Sequence, residues 1–263
     1  SAHLTGEKKW ILENQGPEGE FYMNGSKAGD VNPYFACMAA LGLLAETKNC
    51  PITETEKKAV GRYLDWHTGI LLETDGKMGI YRKKSGKLIY KEKADSEDGY
   101  LGMYLFLMGK YLEKTESTDL PEYWKKGISL ALKKIQSLMQ DGITQVSEEN
   151  TTVYLMDNLE VWKGLYELEH AGLKDVQAIR EMRNKLQAQI EKLFWDDANQ
   201  RWRIIENSDL YHQKEFYPDG VAQIYPLIYE FPVKEKKKQK ILYDQFTEKF
   251  QWQKLNKKRN GFL

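Results

Sequence analysis

The sequence predicts an all-α fold, an (α/α)6 toroid of helical hairpins with short β-hairpins in its loops. Three observations lead to this prediction: a repeat of about sixty residues, an aspartate at the same place in each repeat, and an alternation of two kinds of helix. A repeat of this length is typical of folds that stack one supersecondary unit on the next. We expect the whole chain, residues 1–263, to form a single domain.

The first helix of each unit is amphipathic, and its charged face suits an outer ring with one side in water. This pattern covers residues 7–14, 53–72, 121–139, 176–194 and 234–250. Gly-containing or strand-like turns follow the first four helices, at residues 16–22, 75–90, 141–146 and 196–205. The second of these turns has the pattern of a β-hairpin.

The second helix of each unit is apolar around most of its circumference, which predicts an inner ring that is buried on all sides. These helices are expected to start at Asp30, Asp95, Asp157 and Asp219, which are separated by 65, 62 and 62 residues. A small or compact residue follows each of them by seven positions: Cys37, Gly102, Gly164 and Pro226. Such residues allow neighbouring inner helices to approach closely.

An Asp at a helix start has a structural and a functional interpretation. Its carboxylate can cap the helix, because it accepts backbone N–H bonds and meets the positive end of the helix dipole. The inner helices of a toroid also begin at one rim, so even capping aspartates surround a common mouth. We expect Asp30 and Asp219 to be caps that also shape this mouth.

Two pairs of carboxylates point to chemistry. Asp95 and Asp98 lie three residues apart, and Asp157 and Glu160 have the same spacing. Hydrolysis of a glycosidic bond uses one protonated and one ionised carboxyl group, roughly 6.5–9.5 Å apart when the reaction inverts the anomeric centre. Close like charges raise one pKa and supply the acid form. Asp95, Asp98 and Asp157 are therefore the catalytic candidates.

Other side chains near the predicted mouth suit sugar binding. Aromatic residues make up 12% of the chain, and their faces stack on the apolar faces of sugar rings. Tyr34, Tyr100, Trp162 and Trp202 are candidate platforms, with core packing as the alternative. Asn158 and His212 are candidate hydrogen-bonding groups, and for His212 an ordinary loop position is the alternative. The candidate substrate-binding residues are thus Asp30, Tyr34, Tyr100, Asn158, Trp162, His212 and Asp219.

Composition and spacing argue against several classes of protein. Lys plus Arg and Asp plus Glu each number 39, so no net charge attracts nucleic acid or an anionic membrane. No apolar stretch approaches the roughly 18 residues that cross a bilayer. The histidines and cysteines lack metal-binding spacings, and no nucleotide-binding motif is present, so we expect no metal and no cofactor. Cys37 suits a buried free thiol, although a disulfide with Cys50 remains open.

Four segments carry a resemblance to a known superfamily. They are VNPYFACMAALGLL (31–44), ADSEDGYLGMYLFLMGKYL (94–112), YLMDNLEVWKGLYEL (154–168) and DGVAQIYPLIY (219–229). Together they resemble bacterial proteins of the six-hairpin glycosidase superfamily, in a group of unassigned substrate. The resemblance implies hydrolysis of oligo- or polysaccharides with inversion, by two carboxylates at the barrel mouth. By position these are Asp95 or Asp98 and Asp157, and the DS-x-D pattern is kept as Asp95, Ser96 and Asp98.

A ring of six hairpins needs more than the nine helices that the sequence predicts, so we expect a ring that is open or incomplete at its C-terminal end. The expected function is that of a monomeric glycoside hydrolase with a carbohydrate substrate, extracellular or at the cell surface, with the cytoplasm as the alternative. Two other functions stay open: a catalytically inert toroid that binds sugar or protein, and a sugar epimerase or polysaccharide lyase. The small number of histidines argues against an epimerase.

Overall fold

Helices alternate with short β-hairpins along the chain. The computed structural model describes residues 2–23, 29–84, 87–117, 119–206, 215–233 and 236–251. The helices in these ranges are α1 (Ala2–Glu13), α2 (Pro33–Leu44), α3 (Glu54–Glu73), α4 (Glu97–Thr115), α5 (Glu122–Leu138), α6 (Leu155–His170), α7 (Gln177–Phe194), α8 (Val221–Ile228) and α9 (Lys236–Phe250). A π-helical turn, Phe216–Gly220, leads directly into α8; we call it the π-turn.

The helices form two layers. The even-numbered helices pack side by side in the order α2, α4, α6 and α8, and the odd-numbered helices cover them from outside. The buried apolar side chains of both layers form one continuous cluster. The predicted all-α toroid of helical hairpins is thereby confirmed.

The outer helices owe their positions to one apolar stripe each. In α5 the buried residues include Trp124, Ile128, Ala131 and Ile135, which recur at intervals of three or four and therefore share one face. At the start of α3, Thr53 and Glu56 form a capping box that satisfies two otherwise unpaired backbone N–H groups. The first outer helix starts earlier than the sequence predicts, at Ala2, and includes Gly6.

The two central inner helices, α4 and α6, are in close backbone contact. A Cβ placed on Gly164 would lie 2.4 Å from the carbonyl oxygen of Gly102, and one placed on Gly102 would lie 2.6 Å from the backbone nitrogen of Val161. No side chain fits at either position, because real Cβ contacts are longer than this. The small residues predicted from the repeat therefore set the distance between these helices.

The inner helices differ in burial. Both α4 and α6 are buried around most of their circumference, as the sequence predicts. By contrast, α2 packs against α4 and α8 packs against α6, and each leaves apolar side chains exposed: Phe35 of α2 is 50% exposed and Ile228 of α8 is 56% exposed. The expectation that every inner helix is buried on all sides is wrong for these two.

Short antiparallel strands connect the helices of each hairpin. The largest hairpin pairs β2 (Gly79–Lys84) with β3 (Lys87–Lys93). It lies in the predicted segment 75–90, except that β3 continues to Lys93. β1 (Asp30–Val31) joins its edge, with Asp30 opposite Arg82. The other strands are β4 (Met139–Gln140) with β5 (Ile143–Thr144), and β6 (Trp195–Asp196) with β7 (Arg201–Trp202).

Asn and Ser, and not Asp, cap the inner helices α2 and α4. Asn32 accepts the Tyr34 backbone N–H of α2 at 2.9 Å, and Ser96 accepts the Gly99 N–H of α4 at 3.1 Å. Pro33 suits the first helical position after Asn32, because it lacks the N–H that would remain unpaired there. The expectation that Asp30 and Asp219 are caps is wrong: Asp30 lies in β1, and Asp219 lies inside the π-turn.

Both cysteines are buried free thiols, so the disulfide that the sequence left open does not form. The Cys37 sulfur lies 3.6 Å from the Tyr63 hydroxyl and 3.6 Å from Nδ1 of His67, within the core. In the described parts of the chain, none of the helices has the length and apolar composition needed to cross a membrane.

Candidate functional site

Three carboxyl groups meet where α4 and α6 begin. Asp98 lies in the first turn of α4, Asp157 lies in the first turn of α6, and Glu160 follows one turn later. Two of them lie beside Gly99 of α4: a Cβ at this position would lie 2.8 Å from Oε2 of Glu160 and 3.5 Å from Oδ1 of Asp157. The absence of a side chain at Gly99 allows the two carboxyl groups to approach the start of α4. We call Asp98, Asp157 and Glu160 the carboxyl cluster.

Asp157 is the only member of the carboxyl cluster that is partly exposed. Its pKa is raised well above the ordinary value, first by burial of the carboxyl group and then by the negative charge of Asp98, with a smaller contribution from Asp95. The Ser96 hydroxyl lies within hydrogen-bonding reach and opposes this shift. Asp95 itself is exposed just before α4, so a carboxyl group at the surface lies near the partly exposed carboxyl group of Asp157.

Asp98 is fully buried and its two oxygens are occupied. Oδ1 accepts the Ser96 hydroxyl at 2.8 Å and the Gly99 N–H at 3.0 Å, and Oδ2 accepts the Thr144 hydroxyl at 2.7 Å. Burial raises the pKa of Asp98, and these hydrogen bonds oppose the shift. With no oxygen left for a ligand, Asp98 holds the start of α4 against β5 and adds a charge beside Asp157.

Glu160 is also buried, and it is surrounded by tyrosines. Its Oε1 accepts hydrogen bonds from the hydroxyls of Tyr34, Tyr225 (3.3 Å) and Tyr229 (3.4 Å). Burial raises its pKa well above the ordinary value, the charge of Asp157 raises it further, and the Tyr34 hydroxyl opposes the shift. The geometry therefore favours a protonated Glu160 behind Asp157.

Tyrosine rings form the wall of the site. The Tyr34 hydroxyl of α2 lies 3.2 Å from the Tyr225 hydroxyl of α8. Both hydroxyls also contact Glu160, so this group of side chains links α2 and α8, the first and last inner helices. The Tyr34 ring lies 5.6 Å from the buried ring of Tyr100, measured between ring centroids. Tyr217 of the π-turn is 60% exposed, and its pKa is raised first by partial burial of the hydroxyl and then by the nearby charges of Asp157 and Asp95. Tyr217 is thus the wall residue that is open to a ligand.

Asn158 is placed close to the carboxyl cluster but faces the protein. Its Oδ1 accepts the Thr144 backbone N–H at 2.9 Å, and its Nδ2 donates to the backbone carbonyls of Thr144 and Tyr154, each at 2.9 Å. All its polar atoms are engaged and it is fully buried, so it positions α6 against β5. Direct contact between Asn158 and a substrate is not compatible with this arrangement.

The structure separates the other predicted binding residues from the carboxyl cluster. Asp30 pairs with Arg82 (2.6 and 3.0 Å) and Lys91 (2.9 Å) on the β1–β3 sheet, and these partners hold its pKa well below the ordinary value. Trp162 is buried between Tyr166 and Phe231, so its ring belongs to the core. The buried ring of Trp202 packs edge-on against Trp195.

Asp219 does not join the carboxyl cluster, and His212 is not among the described residues. Asp219 lines a different cavity, between the π-turn and α9. His212 lies outside the described residues, so its role stays a prediction.

Sequence reasoning left several residues out of the site. In the sequence, Glu160 stands out only through its spacing of three from Asp157. The signal for the tyrosine wall is the i, i+4 spacing of Tyr225 and Tyr229, which places both rings on one face of α8. Ser96 and Thr144 gave no such signal, because their roles depend on which segments meet. In the described parts of the chain, no three His, Cys, Asp or Glu side chains are grouped so that they could hold a metal ion.

Solved structures with a similar fold are glycosidases. A wild-type glycosidase matches with a TM-score of 0.57 and 12% identity, over 78% of this chain and 60% of that chain. A glycosidase variant in complex with glucose matches with a TM-score of 0.55 and 12% identity over the same shares. A rhamnosidase from Klebsiella oxytoca with rhamnose bound matches with a TM-score of 0.59 and 10% identity, over 93% of this chain and 47% of that chain.

These identities show a shared fold alone. The chain spans 47–60% of the length of the structures it matches. No protein-family model matches the sequence, and a comparison with curated proteins finds no significant match.

Proposed function

We propose that the protein is a glycoside hydrolase that cleaves an oligo- or polysaccharide with inversion, with Asp157 as general acid and Asp95 as general base. The observation that carries the proposal is that a partly exposed carboxyl group, Asp157, lies near an exposed one, Asp95, beside two buried carboxyl groups. The similarity of the fold to glycosidases supports a carbohydrate substrate.

Each group would perform one part of the reaction. Asp157, kept protonated by burial and by the charge of Asp98, donates its proton to the glycosidic oxygen as the bond to the anomeric carbon breaks. Asp95 accepts a proton from water, whose oxygen attacks the anomeric carbon from the opposite face. The products are two sugars with new hydroxyl groups, and transfer of a proton from Asp95 to Asp157 through solvent restores the starting state.

The remaining residues of the site would act indirectly. Asp98 and Asn158 have no free hydrogen-bonding atoms and are positioning residues, because they fix the starts of α4 and α6 through Thr144. Glu160 maintains a low-dielectric, protonated environment behind Asp157. The exposed ring of Tyr217 offers an apolar face against which a sugar ring can stack.

The test is release of reducing sugar from a panel of oligosaccharides by the wild type, Asp157→Asn and Asp95→Asn. Each substitution keeps the size of the side chain and removes its proton chemistry, so turnover should fall by about 10²- to 10⁴-fold. Asp244→Asn is the matched control, because Asp244 is exposed on α9, outside the carboxyl cluster, and pairs with Lys240. Wild-type rates in both site variants would refute the assignment, and saccharide binding without turnover by the wild type would favour a non-catalytic binding protein.

A further inference from the structure

Thr144 of β5 lies where α4 and α6 begin. It is fully buried, and its side chain contacts one residue of each helix. Its hydroxyl oxygen lies 2.7 Å from Oδ2 of Asp98 and 2.8 Å from Oδ1 of Asn158. A hydroxyl group has one proton to donate, so these two oxygens compete for it. The acceptor that receives this proton decides what Thr144 does at the carboxyl cluster.

Asp98 is the stronger of the two acceptors. Oδ1 of Asn158 already accepts the Thr144 backbone N–H at 2.9 Å. That oxygen also belongs to a neutral amide, whereas hydrogen bonds to an ionised carboxylate are roughly twice as strong as those between neutral groups. The Thr144 hydroxyl therefore donates to Oδ2 of Asp98 when Asp98 is ionised.

The charge on Asp98 is stabilised by donors on both of its oxygens. Oδ2 accepts the Thr144 hydroxyl, and Oδ1 accepts the Ser96 hydroxyl at 2.8 Å and the Gly99 N–H at 3.0 Å. Burial raises the pKa of Asp98 to about 6, and these hydrogen bonds oppose the shift, the Thr144 bond most strongly. Thr144 is thus the largest single support of an ionised Asp98.

The charged form of Asp157 is less well supported. The Ser96 hydroxyl lies within its reach, but the one proton of that hydroxyl is engaged by Asp98 at 2.8 Å. Burial and the charge of Asp98 raise the pKa of Asp157 well above its ordinary value. Two carboxyl groups that repel each other ionise one after the other. The hydrogen bonds on Asp98 make it the first to ionise and leave the remaining proton on Asp157.

The other titratable groups that face the two aspartates in the described structure are acidic. Asp95 precedes α4, Glu160 lies one turn after Asp157 on α6, and Tyr217 lies on the π-turn. A negative charge on any of them disfavours a second charge on Asp157 and leaves that of Asp98 uncompensated. The order in which the two aspartates ionise therefore depends on the hydrogen bonds to Asp98.

We propose that Thr144 is a positioning residue of the active site: its buried hydroxyl group holds the negative charge on Asp98, so that the proton of the general acid stays on Asp157. Thr144 acts through Asp98 and not on the substrate, because it is fully buried. The inference rests on the proposed function for the role of Asp157 as an acid. The location of the proton is a property of the folded protein and can be measured without a substrate.

The test is a carbon-13 NMR titration of the full chain with labelled Asp carboxyl carbons, in the wild type and in Thr144→Val. Asp98→Asn and Asp157→Asn identify the two signals. Val keeps the shape of the side chain, and Asn158 still holds the backbone N–H and carbonyl of residue 144 at 2.9 Å each. Without the hydroxyl, the Asp98 midpoint should rise by about 1–2 pH units. The Asp157 midpoint should fall by about 1 pH unit, because Asp98 then carries less charge.

Two variants separate the hydroxyl group from the shape of the side chain. Thr144→Ser keeps the hydroxyl and should keep both midpoints, and Thr151→Val, at an exposed position before α6, should leave them unchanged. A merely structural role of Thr144 would not move the two midpoints in opposite directions. In kcat/KM, the alkaline limb of the pH profile should shift to lower pH in Thr144→Val and return in Thr144→Ser.

Three results would overturn the role of Thr144. The first is that Asp157 loses its proton before Asp98 in the wild type, a measurement that decides the matter even if Thr144→Val does not fold. The second is a folded Thr144→Val protein with wild-type midpoints. The third is that Thr144→Ser shifts the midpoints as Thr144→Val does. If the midpoints move as expected and no saccharide is hydrolysed, the role of Thr144 stands and the proposed hydrolase function fails.

Discussion

At the scale of single residues, Glu160 has the most unusual surroundings. Its carboxyl group is buried, one of its oxygens accepts hydrogen bonds from three tyrosine hydroxyls, and the other lies beside Gly99, as does the carboxyl group of Asp157. Burial and the charge of Asp157 favour the protonated form in the folded protein. The unfolded chain releases the same proton at an ordinary pKa. Folding therefore takes up a proton over the pH range between the two values.

This difference gives a prediction about stability and pH. The folded state binds more protons than the unfolded state once the pH exceeds the ordinary Glu pKa, so stability falls as the pH rises towards the raised value. Glu160→Gln removes the titrating group and keeps an oxygen for the tyrosines. We expect the fall in the free energy of unfolding to become shallower by up to about 1.4 kcal/mol per pH unit, measured by urea unfolding from mildly acidic to alkaline pH.

Glu248→Gln is the control for that experiment, because Glu248 lies exposed on α9, outside the carboxyl cluster. Its unfolding free energy should follow the wild-type dependence on pH. An unchanged slope in Glu160→Gln would mean that Glu160 is ionised in the folded protein, and the description of a protonated carboxyl group behind Asp157 would then be wrong.

At the scale of elements, the contact between α4 and α6 determines where the carboxyl groups lie. Gly102 and Gly164 bring the two helix backbones together, and the same helices carry Asp98 and Asp157 at their starts. A change in the distance between the helices therefore moves one carboxyl group relative to the other. Packing at the crossing and geometry at the site are linked through rigid helices.

Gly164→Ala tests this link. The added methyl group would meet the Gly102 carbonyl oxygen, which belongs to backbone and cannot turn away, so we expect a loss of about 1–3 kcal/mol of stability in thermal or urea unfolding. Gly69→Ala in α3 is the matched control, because nothing lies within 4 Å of its Cβ position. That variant should gain up to about 1 kcal/mol from helix propensity. A Gly164→Ala protein as stable as Gly69→Ala would contradict the close crossing.

Elements were more predictable from the sequence than contacts were. The periodic patterns of α3 and α7 located both helices to within one residue, because hydrophobic periodicity depends only on local sequence. The caps were assigned to the wrong residues, since Asn, Ser and Asp all suit this position and local sequence does not decide among them. The contact of Tyr34 with Glu160 joins residues 126 positions apart, and no local pattern contains that information.

At the scale of the whole molecule, the site forms because four inner helices lie side by side and each contributes side chains to it. Tyr34 comes from α2, Asp95 and Asp98 from the start of α4, Asp157 and Glu160 from α6, and Tyr225 from α8. The repeat predicted correctly that inner helix starts share one rim, and it placed Asp98 and Asp157 together. It failed for Asp30 and Asp219, because a strand pairing and a π-turn redirect these two side chains. The four aspartates that recur at a similar spacing in the sequence therefore do not have the same role in the structure.

The central claim is that burial and the charge of Asp98 raise the pKa of Asp157 well above its ordinary value, so that its carboxyl group can act as the general acid. The direct measurement is a carbon-13 NMR titration of the wild type with labelled Asp carboxyl carbons, in which Asp157→Asn identifies the Asp157 signal. The account predicts a midpoint for Asp157 well above the ordinary value of about 3.9, because burial and the charge of Asp98 disfavour ionisation. A midpoint for Asp157 near the ordinary value would contradict the account, because no acid would then be available to protonate a leaving group.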